Sequence, residues 1–487
     1  MRTLADNTPL IIKQNTLSIP LKITVYSLTR LLLAGHIVVN GKLLSMLSST
    51  DAAGASIAAT SLGLLLGFGS GMIQATGILL GKPLAAENYL KAGDLIKLSW
   101  FNAIVLGAVS SAVLASTCFI LPLLFTKNIG ISAGRFLLGY ASGSIPTLLQ
   151  LTNQQVVFQS GDWAIPIISS AMLYIPAGVV SYYLGIHAQL GSLGVGLGGG
   201  LCSWFSSGIM YFFFFRKNYR PYHLFSSSLQ HETQCYIHKI KKKWGQLIKT
   251  GGKLSLMAAS EWGSLTAIAV IVGLSGENAS HALHACIQVT AVWSLFSQGF
   301  SSAGGMILSK FVAQQNRQLN AADISAPELI NTKDSILRTT VINLLLTGSL
   351  TTLISVVIYF LRSELTLFFL NTSADSSIHQ LANDFLIISL FGLLQDALRI
   401  TAMGALRGWS ELITPTVISL LTMTIFGAPA GYGIGYLLND IPRSILISRD
   451  VAVTLAATGV GFRLFKHVRE GIKAVKNKIT AINTPSP

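Results

Sequence analysis

Two acidic side chains in this sequence stand where acids are costly. Glu261 sits in Lys-Leu-Ser-Leu-Met-Ala-Ala-Ser-Glu-Trp-Gly-Ser-Leu-Thr-Ala-Ile-Ala-Val, and Asp396 in Leu-Phe-Gly-Leu-Leu-Gln-Asp-Ala-Leu-Arg-Ile-Thr-Ala-Met-Gly. Both stretches are apolar enough to cross a bilayer, and an ionised residue near the middle of such a helix costs about 2.5–3.5 kcal/mol on insertion scales. Residues of this kind face a protein interior or a watery cavity, where they handle ions, protons or charged substrates. Burial disfavours an ionised carboxylate, which makes Glu261 a candidate for proton exchange. Its helical neighbours Met257, Ala258, Ser264 and Leu265 bring no positive charge to it. Asp396 differs, because Arg399 follows on the same helical face, close enough for an ion pair. Two roles are open for that pair. It is either a structural tie, or a switch in which Arg399 holds Asp396 in one state and releases it when a proton or substrate arrives. The two carboxyl groups together are the candidate coupling site of a transporter.

Such a site needs a helix bundle around it. The 487 residues are 51% hydrophobic and 11% charged, with a mean hydropathy of +0.59, whereas a soluble chain carries about a quarter charged residues. A spanning helix needs about 20 mostly apolar residues. Such segments begin near residues 18, 56, 95, 129, 164, 192, 254, 281, 338, 381, 411 and 445. The expected fold is an all-α polytopic membrane protein with about twelve transmembrane helices in two pseudo-symmetric six-helix lobes. The expected division is a cytoplasmic lead over 1–16, an N-terminal lobe over 17–216 and a basic cytoplasmic linker over 217–245. A C-terminal lobe over 246–466 and a basic cytoplasmic tail over 467–487 complete it. The tail reads as an amphipathic helix suited to an anionic membrane surface.

The net charge of +15 is a topology signal before anything else. Lysines and arginines crowd the segments on one side, as in Lys239, Lys241, Lys242 and Lys243, while the other side holds Lys42, Lys127, Arg362, Arg443 and Arg449. That asymmetry places both termini in the cytoplasm and leaves no role for nucleic acid. Cys118, Cys202, Cys235 and Cys286 show neither metal-site nor disulfide spacing. The polar amino terminus lacks a cleavable signal pattern, so the first helix is expected to stay as an anchor. Asp51 is expected to cap the second helix. The glycine run at 190–200 lacks both the strand and the Lys-Ser/Thr of a phosphate loop.

An internal repeat supports the two lobes. Gly161-Asp162-Trp163-Ala164-Ile165-Pro166, followed by Ile175-Pro176-Ala177-Gly178, is answered by Gly408-Trp409-Ser410-Glu411, Pro415 and Ala428-Pro429-Ala430-Gly431. Both copies fall on the fifth helix of their half. Parallel repeats of this kind are related by an axis along the membrane normal, with the substrate path between them.

The string Gly404-Ala405-Leu406-Arg407-Gly408-Trp409, then Pro415 and Gly427-Ala428-Pro429-Ala430-Gly431-Tyr432, resembles the tenth and eleventh helices of the multidrug and toxic compound extrusion (MATE) family. Asp396 and Glu261 fall on the tenth-helix aspartate and seventh-helix glutamate of that family's NorM-type branch, and Leu247-Ile248-Lys249-Thr250-Gly251 matches the lead-in to the latter. Asp51-Ala52-Ala53-Gly54-Ala55-Ser56 resembles the start of the second helix. The resemblance implies a secondary active antiporter that exports organic, often cationic, compounds by alternating access in exchange for H+ or Na+. The coupling ion would bind at Glu261 and Asp396, Na+ being the one metal the pattern allows, and no other cofactor is implied. The implied partners are a small-molecule substrate and the lipid bilayer around a monomer, in a bacterial inner membrane.

Three departures from the family pattern redirect the site. His36 stands where most members have a first-helix aspartate, ahead of Gly41; Tyr174 and Gly178 stand where asparagines are common; Gly392 stands one turn before Asp396, where the branch can have a tyrosine. Coupling should therefore rest on the C-terminal lobe. His36 is either a core histidine or a second titrating site, since histidine ordinarily changes charge near about pH 6.5. His36, Asn40, Tyr174, Gln288, Trp293 and Arg399 are the candidates for the substrate cavity, with Gln298 beside them and Trp293 offering an aromatic face to a cation. Packing is the alternative for each. Arg30 reads as a buried partner for an acid or a carbonyl. The competing transport reading is a lipid-linked oligosaccharide or polyisoprenoid flippase with a basic cavity built on Arg30, Arg135 and Arg399. A membrane enzyme would need a cluster of nucleophile and base or of metal ligands; His281 and His284 have no companions, so no enzymatic activity is expected.

Overall fold

Long apolar segments cross a bilayer as helices, which satisfy each backbone N–H and C=O within their own segment. The computed structural model describes residues 19–125, 127–162, 164–224, 233–320, 326–370 and 376–483, which are helical almost throughout. The expected lead at 1–16 lies outside the described residues. The first lobe holds α1 (Ile19–Leu47), α2 (Ser49–Ala85), α3 (Tyr89–Leu124), α4 (Lys127–Ala141), α5 (Ser144–Gln159), α6 (Ala164–Tyr182) and α7 (Gly191–Phe213). The second holds α8 (Thr233–Leu274), α9 (Glu277–Asn320), α10 (Ala326–Phe360), α11 (Arg362–Leu370), α12 (Ser376–Gly408), α13 (Ile413–Leu420), α14 (Ala428–Leu438) and α15 (Ile441–Asn483).

The described helices form an integral membrane protein of twelve passes in two six-helix lobes. Among the described residues ten helical stretches are long and apolar enough to cross a membrane by length and composition. The other two passes are the α4–α5 pair and α9, which are more polar. α5 buries Gln150, Asn153, Gln154 and Gln155, and α9 buries His281, His284 and Gln288. They carry polar residues because they face protein and cavity instead of lipid.

The lobes meet where α2 lies along α8 and α9, and α1 along α9. Small residues bring the backbones together there. A Cβ on Gly71 would overlap the Leu254–Ser255 backbone, and the Trp262 ring lies against Gly63 and Gly67. Ser255 Oγ donates to the Phe68 carbonyl at 2.7 Å and Thr266 Oγ1 to the Thr60 carbonyl at 3.0 Å, which satisfies both hydroxyls across the interface.

The repeated fifth helices are both broken near a proline, whose missing N–H and bulky ring disturb the helical ladder. α6 contains Pro176 and passes into a π-helical turn at Tyr183–His187. α13 and α14 are joined by another π-helical turn, Leu421–Gly427, directly before Pro429.

Three local expectations are corrected. α2 begins at Ser49, so Ser48 and not Asp51 is its N-cap: Ser48 Oγ lies 3.0 Å from the Asp51 N–H and accepts from it. Asp51 instead accepts from the Ser48 and Ser132 hydroxyls. The linker at 217–245 is partly helical, with a 3-10 turn at Lys217–Tyr222 and α8 running from Thr233 into the seventh pass. The basic tail is no separate element either. α15 is one helix of 43 residues, about 65 Å long at the usual rise, against about 30 Å of hydrocarbon. Its far end is tied back to the α12–α13 connection, where Arg463 pairs with Glu411 at 3.3 Å and the His467 ring stands edge-on to Trp409 at 5.2 Å.

Candidate functional site

Three helices of the second lobe bring five charged side chains into one cluster. α8 supplies Glu261, α12 supplies Asp396 and Arg399, and α15 supplies Arg449 and Asp450. Arg399 Nη1 donates to Glu261 Oε1 at 2.9 Å, while Nη2 and Nε donate to Asp396 Oδ1 at 2.6 and 3.1 Å. The guanidinium side chain is 1% exposed, Glu261 15% and Asp396 10%, so all three are taken out of water together. A buried ion needs both charge compensation and hydrogen bonds to persist, and the planar fork of arginine supplies both to two acids at once. The expectation that Glu261 lacks a counter-charge is therefore overturned. Its cation comes from 138 residues away in sequence, which no inspection of its own helix can reveal. The expected Asp396–Arg399 pair is present, as one arm of this wider bridge.

Asp450 is the acidic residue that sequence reasoning missed. It pairs with Arg449 at 3.3 Å, and its Oδ2 is buried with no partner among the described residues. A Cβ on Gly392 would overlap its carboxylate. The glycine at this position thus leaves the space Asp450 fills. The available signal was an Arg-Asp dipeptide at the start of an apolar run, easily taken for a helix entrance. With Glu261, Asp396 and Asp450 against Arg399 and Arg449, the cluster has three carboxyl groups for two guanidiniums.

Beside the cluster lies a cavity between the lobes with a water-accessible volume of about 200 Å³. Its first-lobe wall includes Arg30, His36, Asn40, Tyr140 and Tyr174; its second-lobe wall includes Trp262, Gln288, Gln298, Asp396 and Arg449. A small adjoining recess reaches Glu261 and Arg399. His36, Asn40, Tyr174, Gln288 and Asp396 thus converge on one space. His36 Nε2 and Asn40 Nδ2 are 3.0 Å apart, and the His36 and Tyr174 rings are 5.4 Å apart.

Trp293 does not join them. It lies five residues past Gln288, about 140° further round the helix, and packs with Phe296 and Phe300. Its Nε1 donates to Thr351 Oγ1 on α10 at 2.8 Å. The indole that lines the cavity is Trp262, next to Glu261. Arg30 reaches the cavity wall, but its polar contact is the Tyr26 hydroxyl and no acid pairs with it among the described residues. Arg135 is exposed on α4. A basic cavity built on Arg30, Arg135 and Arg399 therefore loses Arg135 to the surface and Arg399 to its two acids. Among the described residues no three His, Cys, Asp or Glu side chains form a metal-binding group.

Cross-lobe polar contacts tie the bundle at both ends. At the end of the α1–α2 and α8–α9 turns, Ser56 and Ser280 hydroxyls are 3.3 Å apart, Ser49 donates to Glu277 at 3.2 Å and Lys42 donates to the Phe368 carbonyl at 2.5 Å. At the other end Arg407 donates to Gln74 at 2.5 Å, Lys310 to the Gln159 carbonyl at 2.6 Å, and Lys243 pairs with Asp94 at 2.9 Å. The cavity lies between these two sets of ties.

The MatE family model matches residues 330–433, from within α10 to within α14. A probable multidrug resistance protein NorM from Bacillus thuringiensis subsp. konkukian is 26% identical over 118 residues, which is 24% of this chain and 25% of that protein. The similarity therefore spans about a quarter of that relative's length. A probable multidrug resistance protein NorM from Halalkalibacterium halodurans is 23% identical over 385 residues, 76% of this chain and 77% of that protein. Among solved structures, that of the eukaryotic MATE transporter AtDTX14 superposes with a TM-score of 0.77 at 15% identity, covering 93% of this chain and 98% of that one. At such identity the likeness shows the shared fold.

Proposed function

We propose that this chain, whose residues 330–433 match the MatE family model, is a member of that family and a secondary active antiporter that exports organic compounds, cationic ones among them, in exchange for H+ or Na+. The observation that carries the proposal is the buried Glu261–Arg399–Asp396 bridge beside a cavity between two lobes. A cation taken up by either carboxylate competes with one arm of Arg399. That releases the tie between α8 and α12, repacks the second lobe and lowers its affinity for substrate. Because coupling free energy is reciprocal, substrate binding must lower cation affinity by the same factor. In this proposal the protein works as a monomer in a bacterial inner membrane with both termini cytoplasmic, as the distribution of lysine and arginine favours.

The test is export of a fluorescent organic cation from vesicles under separate proton and sodium gradients, for the wild type and Glu261→Gln. Gradient-driven export that the substitution abolishes is the expected result, and the effective gradient names the ion. Export that is equally fast in Glu261→Gln removes that residue from coupling. An absence of export in the wild type under both gradients overturns the antiport reading.

A further inference from the structure

Of the charged side chains on the cavity wall, Asp396 is held by Arg399, and Arg449 by Asp450. Arg30 is not matched in this way. It is 7% exposed, its contact is the Tyr26 hydroxyl, its Nε has no partner, and no carboxylate lies within ion-pair distance among the described residues. Tyr26 is already engaged by Gln155 Nε2 at 3.2 Å. A buried guanidinium without a counter-ion is costly, and one hydroxyl offsets little of that cost. Nor is Arg30 Nε the one buried polar atom here that lacks a partner. His36 Nδ1, Asn40 Oδ1 and Gln288 Oε1 are buried on residues that line the same cavity and are also without partners among the described residues. Polar atoms held this way in a native cavity point to something that binds there.

We propose that Arg30 anchors an anion subsite on the first-lobe wall, with His36 and Asn40 beside it, that takes the acidic group of an amphoteric substrate. The cationic end of that substrate faces the opposite wall, where Asp396 lines the cavity and Glu261 the adjoining recess, with the buried Asp450 behind them. The cavity is bipolar, and a molecule bearing both a cation and a carboxylate satisfies both walls at once. A ligand of one sign leaves one wall uncompensated. The inference rests on the export reading only for calling the ligand a substrate; the subsite itself is a statement about binding.

The test uses rhodamine 110, which carries a free carboxylate on a cationic xanthylium dye, and its methyl ester rhodamine 123, which keeps the cation and loses the carboxylate. Fluorescence anisotropy with purified protein reads the ratio of the two affinities in the wild type, Arg30→Gln and Arg30→Lys. The wild type is expected to favour the free acid by at least about tenfold, a modest return for a charge-assisted hydrogen bond in a desolvated site. Arg30→Gln should bring the ratio to about one, and Arg30→Lys should keep part of it because the charge remains. An ester bound as well as the acid in the wild type overturns the proposal, as does a ratio that Arg30→Gln leaves intact.

Should neither dye bind, benzoate serves as the minimal carboxylate. A benzoate-dependent rise in melting temperature present in the wild type and absent in Arg30→Gln sustains the subsite, and a rise independent of Arg30, or none, overturns it. Removing an uncompensated charge should leave the empty Arg30→Gln protein melting no lower than the wild type. A fall of many degrees with an unchanged dye ratio would make Arg30 a packing residue. A binding ratio that survives while neither gradient drives export sinks the antiport reading and leaves the subsite; driven export of both dyes without an Arg30-dependent preference does the reverse.

Discussion

Arg399→Gln is the perturbation that tests the bridge most directly. The guanidinium is 1% exposed and makes contacts of 2.9, 2.6 and 3.1 Å to two carboxylates. Deleting one partner of a buried pair costs about 3–5 kcal/mol, because the other charge is left uncompensated. Here one substitution strands two acids, so the loss should reach at least the top of that range. Glu261→Gln is much milder in expectation. It leaves both hydrogen bonds to Asp396, and its carboxamide oxygen still accepts from Nη1, so the loss is about 1–3 kcal/mol. The triple variant Glu261→Gln, Asp396→Asn, Arg399→Gln removes every charge and should recover much of what Arg399→Gln loses, as a set of directly interacting groups must. Apparent melting temperatures in lipid nanodiscs provide the ranking, since a two-state free energy is not defined for a protein of this size. An Arg399→Gln variant that melts no lower than Glu261→Gln would refute the bridge, and so would a triple variant less stable than Arg399→Gln alone.

Two further outcomes follow from the same geometry. Gly392→Ala pushes a methyl group into the Asp450 carboxylate and should cost about 1–3 kcal/mol as overpacking; adding Asp450→Ala should relieve most of it, and melting curves that show no relief would remove Asp450 from that space. At the α12–α13 connection, the Glu411 carboxyl is held below the usual carboxylate range by the Thr414 hydroxyl at 2.7 Å and then by Arg463 at 3.3 Å. A depressed folded value means that this tie stabilises the docked end of α15 above the ordinary carboxylate range and is lost as pH falls through the folded value. The effect is small, about 0.5–1 kcal/mol. Proteolysis of the α15 end should rise on acidification in the wild type, whereas Glu411→Gln should be sensitive already at neutral pH; identical pH profiles would refute the tie.

What the sequence made legible here was the cost of burial; what it hid was the identity of whatever offsets that cost. Hydropathy is a local property, so most passes could be placed to within a few residues, and Glu261 and Asp396 stood out because an acid in an apolar run is anomalous on its own. Pairing is not local. Glu261 finds its cation on α12, Asp450 finds its space at a glycine on another helix, and Trp293 turns away from the cavity because of helical phase, which a list of aromatic residues does not carry. The same distinction explains the two passes with the weakest apolar signal. α5 and α9 hold buried glutamines, asparagines and histidines because they line the interior, where a side chain meets other helices and cavity water instead of lipid. On α9 the bundle turns Gln288 and Gln298 toward the cavity. His281 and His284, like Gln150, Asn153, Gln154 and Gln155 of α5, are instead buried among the helices away from it, so a pass is blurred by polar packing as well as by the cavity.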